Sequence, residues 1–196
     1  MRSRIGRGWL LASCVLLAAC VGAPAPREQF FTLSSPNPGV APPASDTPSI
    51  YVGPVTVPEA VDRPSMVLRT SPNQVDVSDD YRWAEPLRNA IPRVIGDVLA
   101  RDLAISRVLT SRSASATPVD VRVAIEIEQF DSSLANGATI DAVWSVKNTA
   151  NGKSRNGRSA VHEAMISQGP AGIAAAHSRA LENIGKEIAA AVREVR

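Results

Sequence analysis

Aromatic side chains are scarce in this chain, at 4% of 196 residues. A surface that stacks nucleic-acid bases on rings is therefore not expected. Histidine occurs only at His162 and His177, and cysteine only at Cys14 and Cys20. Metal centres built on these residues need three or four ligands, so the sequence offers no ready set. His162-Glu163 does not begin an HExxH motif, because position 166 is Ile166. No Gly-x-Ser-x-Gly elbow and no GxGxxG loop occurs. Gly152-Lys153-Ser154 resembles the end of a phosphate loop, but the glycine required five positions before Gly152 is Lys147. Asp79-Asp80 and Glu126/Glu128 read as a helix-cap region and a solvated strand face. No catalytic set, cofactor site or metal site is expected. The length allows one ordinary domain, or at most two small ones, and excludes a large multidomain enzyme.

Long apolar runs are also missing. Trp9 to Ala19 spans eleven residues, short of the ~20 that cross a bilayer as a helix. Arg2, Arg4 and Arg7 precede it. A basic segment before a short apolar core reads as a secretory signal, residues 1–19. The run ends Leu17-Ala18-Ala19-Cys20, which resembles the lipobox of bacterial lipoproteins. That resemblance implies acylation of Cys20 and cleavage before it. The remaining chain, 20–196, has 177 residues, and loss of three arginines leaves 18 basic against 19 acidic residues, a net charge of −1. Binding of DNA or anionic lipid through net charge loses its support. No disulfide remains available, so the core must hold the fold unaided. Several acyl chains hold a protein firmly on a membrane, whereas one does so marginally. Val21, rather than an aspartate, follows Cys20. By resemblance to enterobacterial sorting, this favours the outer membrane, with the domain facing the periplasm.

Residues 20–26 form a lipid-anchored tether, and 27–196 a single periplasmic domain. Segment 27–34 is rich enough in β-formers for a strand, and 35–48 is a proline-rich loop. Ile50 to Val57 alternates, with Gly53-Pro54 shifting the register, as in a bulged or edge strand. Two short strands follow at 65–70 and 74–78. Leu87, Ile91, Val94, Ile95, Val98, Leu99 and Leu103 form one stripe of period near 3.6, predicting a helix. Pro92 within it predicts a kink or a later start. Val119 to Glu128 alternates cleanly, and Asn136-Gly137 marks a hairpin. Strands are expected at 139–148 and about 157–166, and a terminal helix at 171–196, with His177 on its apolar face. The expected fold is α+β: an antiparallel or mixed sheet of about five to seven strands, with two main helices packed on one face.

Two blocks are more specific: Val52-Gly53-Pro54-Val55 … Pro58 … Asp62-Arg63-Pro64, and Tyr81-Arg82-Trp83-Ala84-Glu85-Pro86-Leu87. With Phe31-x-Leu33 and Ala176-His177-Ser178-Arg179-Ala180-Leu181, they resemble the PqiC/YmbA family of ABC-type transport auxiliary lipoproteins, which is associated with MCE-type transport. Val61, Phe31 in place of a common tyrosine, and Pro92 depart from the family pattern. The resemblance implies a non-catalytic outer-membrane lipoprotein. It would dock an MCE-domain periplasmic protein and its ABC transporter, helping to move lipid or hydrophobic solute between membranes. A homo-oligomeric ring is compatible with it, the sheet edge near 52–57 being a candidate contact. Asp62, Arg63, Pro64, Arg82, Trp83, Glu85 and Pro86 then carry two readings. In the structural one, Asp62 and Arg63 pair or cap a turn that Pro64 stiffens, and Trp83 fills a hollow beside Arg82 and Glu85. In the other, the same residues form a partner surface, with Trp83 as its anchor. The alternative function is a lipoprotein regulator of an envelope (cell-wall) synthase. A hydrolase would need an activated nucleophile that the sequence does not display.

Overall fold

The computed structural model describes residues 27–35, 48–111 and 114–196. The signal 1–19, Cys20, the tether 20–26 and most of the proline-rich loop 35–48 lie outside the described residues.

Eight strands and two helices follow in the order β1 (Gln29–Phe31), β2 (Ile50–Thr56), β3 (Ser65–Ser71), β4 (Gln74–Trp83), α1 (Leu87–Leu103), β5 (Val108–Leu109), β6 (Val121–Ser133), β7 (Gly137–Asn148), β8 (Ser154–Glu163) and α2 (Pro170–Val195). All strands belong to one mixed sheet. The long strand β6 organises it. On one side β6, β7 and β8 form an antiparallel meander. On the other, β2 runs parallel to the first half of β6, and β3 touches its far end where Leu68 pairs with Ser132. The β3–β4 hairpin carries β1 parallel to the end of β4. The two-residue strand β5 lies parallel to the start of β2.

The α+β class and the paired helices agree with the sequence reading. The strand count reaches eight because Val108-Leu109 pairs, a segment too short to show a period. The entry segment shrinks to three paired residues, while β4 and β6 extend to Trp83 and Ser133. The α1 stripe holds from its first residue: the helix starts at Leu87, directly after Pro86, and continues through Pro92. A later start is therefore not observed. Pro92 has no N–H to offer the Arg88 carbonyl one turn earlier.

The inner faces of β2, β6 and β7 close a core with both helices. Val121, Val123, Ile125 and Ile127 from β6, Ile91 and Ile95 from α1, and Ile184 and Ile188 from α2 are all buried in it. The helices meet closely at Gly185, where a Cβ would lie 2.8 Å from Val98 Cγ1. No described helix is long and apolar enough to cross a membrane.

Candidate functional site

Backbone hydrogen bonds tie three distant segments together at one end of the sheet. The 58–64 turn is closed by Asp62 N–H donating to the Pro58 carbonyl at 3.1 Å and Arg63 N–H to the Val61 carbonyl at 2.8 Å. Trp83 N–H donates to the Pro64 carbonyl (2.7 Å), and Ala84 N–H to the Phe31 carbonyl (2.8 Å). The end of β4 is thus held against both the turn and β1. Pro86 then sets the start of α1, whose first turn has no capping side chain.

A hollow of about 350 Å³ lies at this junction. Asp62, Arg63, Pro64, Trp83, Glu85 and Pro86 line it, joined by Phe30 and Arg88. Six of the seven motif residues singled out from sequence therefore converge. Arg82 does not, because strand alternation turns it away from Trp83. It pairs instead with Glu28 at 2.8 Å. The suggested Asp62–Arg63 pairing is not observed. Asp62 Oδ2 lies 2.7 Å from an Arg88 guanidinium nitrogen, and Glu85 pairs with Arg93. Arg93 also donates to the Leu33 carbonyl at 2.8 Å, fastening α1 to the chain that leaves β1.

Trp83 forms the floor of the hollow and is 5% exposed. Beneath it lies a ring cluster. Trp83 meets Phe130 edge-on at 6.1 Å and His177 edge-on at 6.0 Å, while His177 stacks on Phe130 at 3.8 Å. Such contacts add to area burial. His177 is fully buried, with Nε2 at 2.9 Å from Ser132 Oγ. Burial drives its pKa down to about 3, against a smaller upward pull from Asp131, so the ring is neutral. Burial alone would raise the Asp131 carboxyl. The hydrogen bonds from Arg69 and Gln129, with the Arg69 charge, hold it below its usual range instead.

Sequence reasoning missed Phe30 and Arg88. Phe30 is 60% exposed at the rim, although its neighbour Phe31 packs against the core. The Gln-Phe-Phe alternation across a strand was the available signal, but not which phenylalanine faced out. Arg88 showed only as a polar position on the helix. No group of three or more His, Cys, Asp or Glu side chains arranged to hold a metal occurs among the described residues.

The fold resembles that of protein XCC0632 of the DUF330 family from Xanthomonas campestris, at 19% identity and a TM-score of 0.63, over 82% of this chain and 92% of that one. It also resembles a solved structure of an uncharacterized protein, at 15% identity and a TM-score of 0.64, over 87% and 99% of the two chains. No curated protein matches. The family model for the ABC-type transport auxiliary lipoprotein component matches residues 31–189, from the last residue of β1 through β8 and most of α2, and the chain belongs to that family.

Proposed function

We propose that this protein is a non-catalytic outer-membrane lipoprotein subunit of an ABC/MCE-type transport system. It docks a periplasm-spanning MCE-domain partner and so supports movement of lipid or hydrophobic solute between membranes. ATP hydrolysis belongs to a separate cytoplasmic subunit. The observation that carries the reading is the convergence of the 62–64 and 83–86 blocks on one hollow rimmed by exposed Phe30. An aromatic rim with arginines beside it is the composition that anchors protein interfaces. Trp83 supports this surface from below, so the contact itself falls to Phe30, Arg63 and the surrounding rim.

Tether length supports docking near the membrane. Residues 21–28 are the only ones between Cys20 and β1, and eight residues reach at most about 29 Å when fully extended. A regulator that reaches far across the periplasm would need more chain.

The test is capture of the lipidated protein from gently solubilised envelopes, with a Cys20→Ala control and a Phe30→Ala variant. Recovery of an MCE-domain protein and its ATPase, lost with Phe30→Ala, is the expected result. Recovery of a cell-wall synthase would establish the regulator reading instead. Recovery of neither, with unchanged envelope sensitivity on deletion, would remove the transport role.

A further inference from the structure

A second concavity, of about 600 Å³, lies where β2 bulges away from β6. Its size is that of a small-molecule site. Tyr51, Pro54, Pro92 and Ala124 supply an apolar wall, and Arg122 and Lys147 line the same groove. Those two cations sit directly opposite each other across β6 and β7. Like charges in that position destabilise a sheet unless something neutralises them. Elsewhere on the surface, Arg69, Arg93, Arg158 and Arg179 each hold a carboxylate. Arg122 instead donates to the Ser115 and Thr117 carbonyls and lies over the Tyr51 ring at 5.4 Å. Among the described residues neither Arg122 nor Lys147 has an acidic partner.

The register places the charge at one end. Tyr51 pairs with Arg122, whereas Val55 and Thr56 pair with Ile125 and Glu126 further along β6. At ~3.3 Å per residue, the Pro54–Ala124 shelf begins roughly 7 Å from the cationic pair. Arg88 also lines the groove, but Asp62 already holds its charge. From this geometry we infer that the groove binds a small anionic amphiphile, its oxyanion head between Arg122 and Lys147 and its alkyl part along Pro54 and Ala124. The remaining guanidinium N–H groups and the ammonium suit phosphate or carboxylate oxygens. A groove this short and walled fits an alkyl chain better than a folded surface. This site shares Arg88 alone with the lining of the Trp83 hollow and stands whether or not that hollow docks a partner.

The test is calorimetric titration of the full chain in a neutral detergent with n-hexyl phosphate, inorganic phosphate, n-hexanol and hexaglutamate. Hexyl phosphate should bind more tightly than either half-molecule. Lys147→Ala, at an exposed position, should weaken it about tenfold, the size of one charged hydrogen bond. Ala124→Leu should erase the advantage over inorganic phosphate while leaving phosphate binding intact. Retained thermal melting in each variant shows that the fold survives. No hexyl phosphate binding, binding indifferent to both substitutions, or equal affinity for inorganic phosphate would overturn the proposal. Tighter Lys147-dependent binding of hexaglutamate would overturn it in favour of an acidic protein segment.

Discussion

The two concavities differ in how their cations are satisfied. Around the Trp83 hollow, Asp62 holds Arg88 and Glu85 holds Arg93. In the groove beneath the β2 bulge, Arg122 and Lys147 face each other with no acidic partner among the described residues. Arg88 borders both spaces, yet its charge is already bound on the Trp83 side. At the aromatic-rimmed hollow two arginines are thus paired and Arg63 stands at the exposed edge, whereas the groove sets two cations side by side with their charge unspent. A cluster of basic residues indicates a ligand only where its internal partners are missing.

The contrast can be broken first at its floor. Trp83→Ala removes the ring that supports one hollow and leaves the other intact. It should cost about 3–5 kcal/mol in urea unfolding, the range for a buried aromatic. Acidification comes next. His177 is held neutral below the hollow with a pKa of about 3, whereas an unfolded histidine titrates near 6.5. The unfolded chain therefore binds the extra proton, so stability is full above pH 6.5 and falls as pH drops toward 3. Between pH 7 and 4.5 the loss from this group should be about 2–3 kcal/mol, read from unfolding at the two pH values. Asp131, held low by Arg69, adds its own loss only at more acidic pH.

The groove responds to a different substitution. Gly53 has φ of +153°, and a Cβ there would lie 2.7 Å from the Tyr51 hydroxyl. Gly53→Ala should cost about 1–3 kcal/mol through strain and displacement of Tyr51. It should also weaken hexyl phosphate binding, while partner capture at the Trp83 hollow persists. Asp62→Asn tests the divider. Stability should fall by about 0–1 kcal/mol, as for an exposed pair. The released Arg88 charge should tighten hexyl phosphate binding, read by the same titration. Phe30→Ala should change stability least, by under about 0.5 kcal/mol, and still reduce partner capture.

Much of this was legible from local pattern. The α1 and α2 stripes, the alternation of β6 and the Asn136-Gly137 hairpin all appear in the structure because each rests on neighbours in sequence. The parallel pairings of β1 with β4 and β2 with β6 left no local trace. Nor did the Asp62–Arg88 pair, whose members are 26 residues apart. Trp83 was visible as a special residue, but its motif could not show that it lies beneath the surface instead of on it. The Arg122–Lys147 juxtaposition is the subtlest case. Ser133 pairs with Gly137 beside the turn, and an unbroken ladder from there would set Arg122 against Asn148. A bulge between Ile127 and Gln129 moves the register by one and brings Lys147 opposite instead. Nothing in the alternation of Val121 to Glu128 announces that extra residue.

The parallel pairing of β1 with β4 has a mechanical consequence. Gln29, Phe30 and Phe31 lie beside Tyr81, Arg82 and Trp83, and the chain leading back to Cys20 leaves from the free end of β1. Under the proposed anchoring, tension between membrane and domain pulls along this strand. The hydrogen bonds it shares with β4 are then loaded together, in shear, instead of being unzipped one by one. The force enters the domain beside Phe30, so the rim proposed to grip the partner is also the first part of the fold to feel a pull from the anchor.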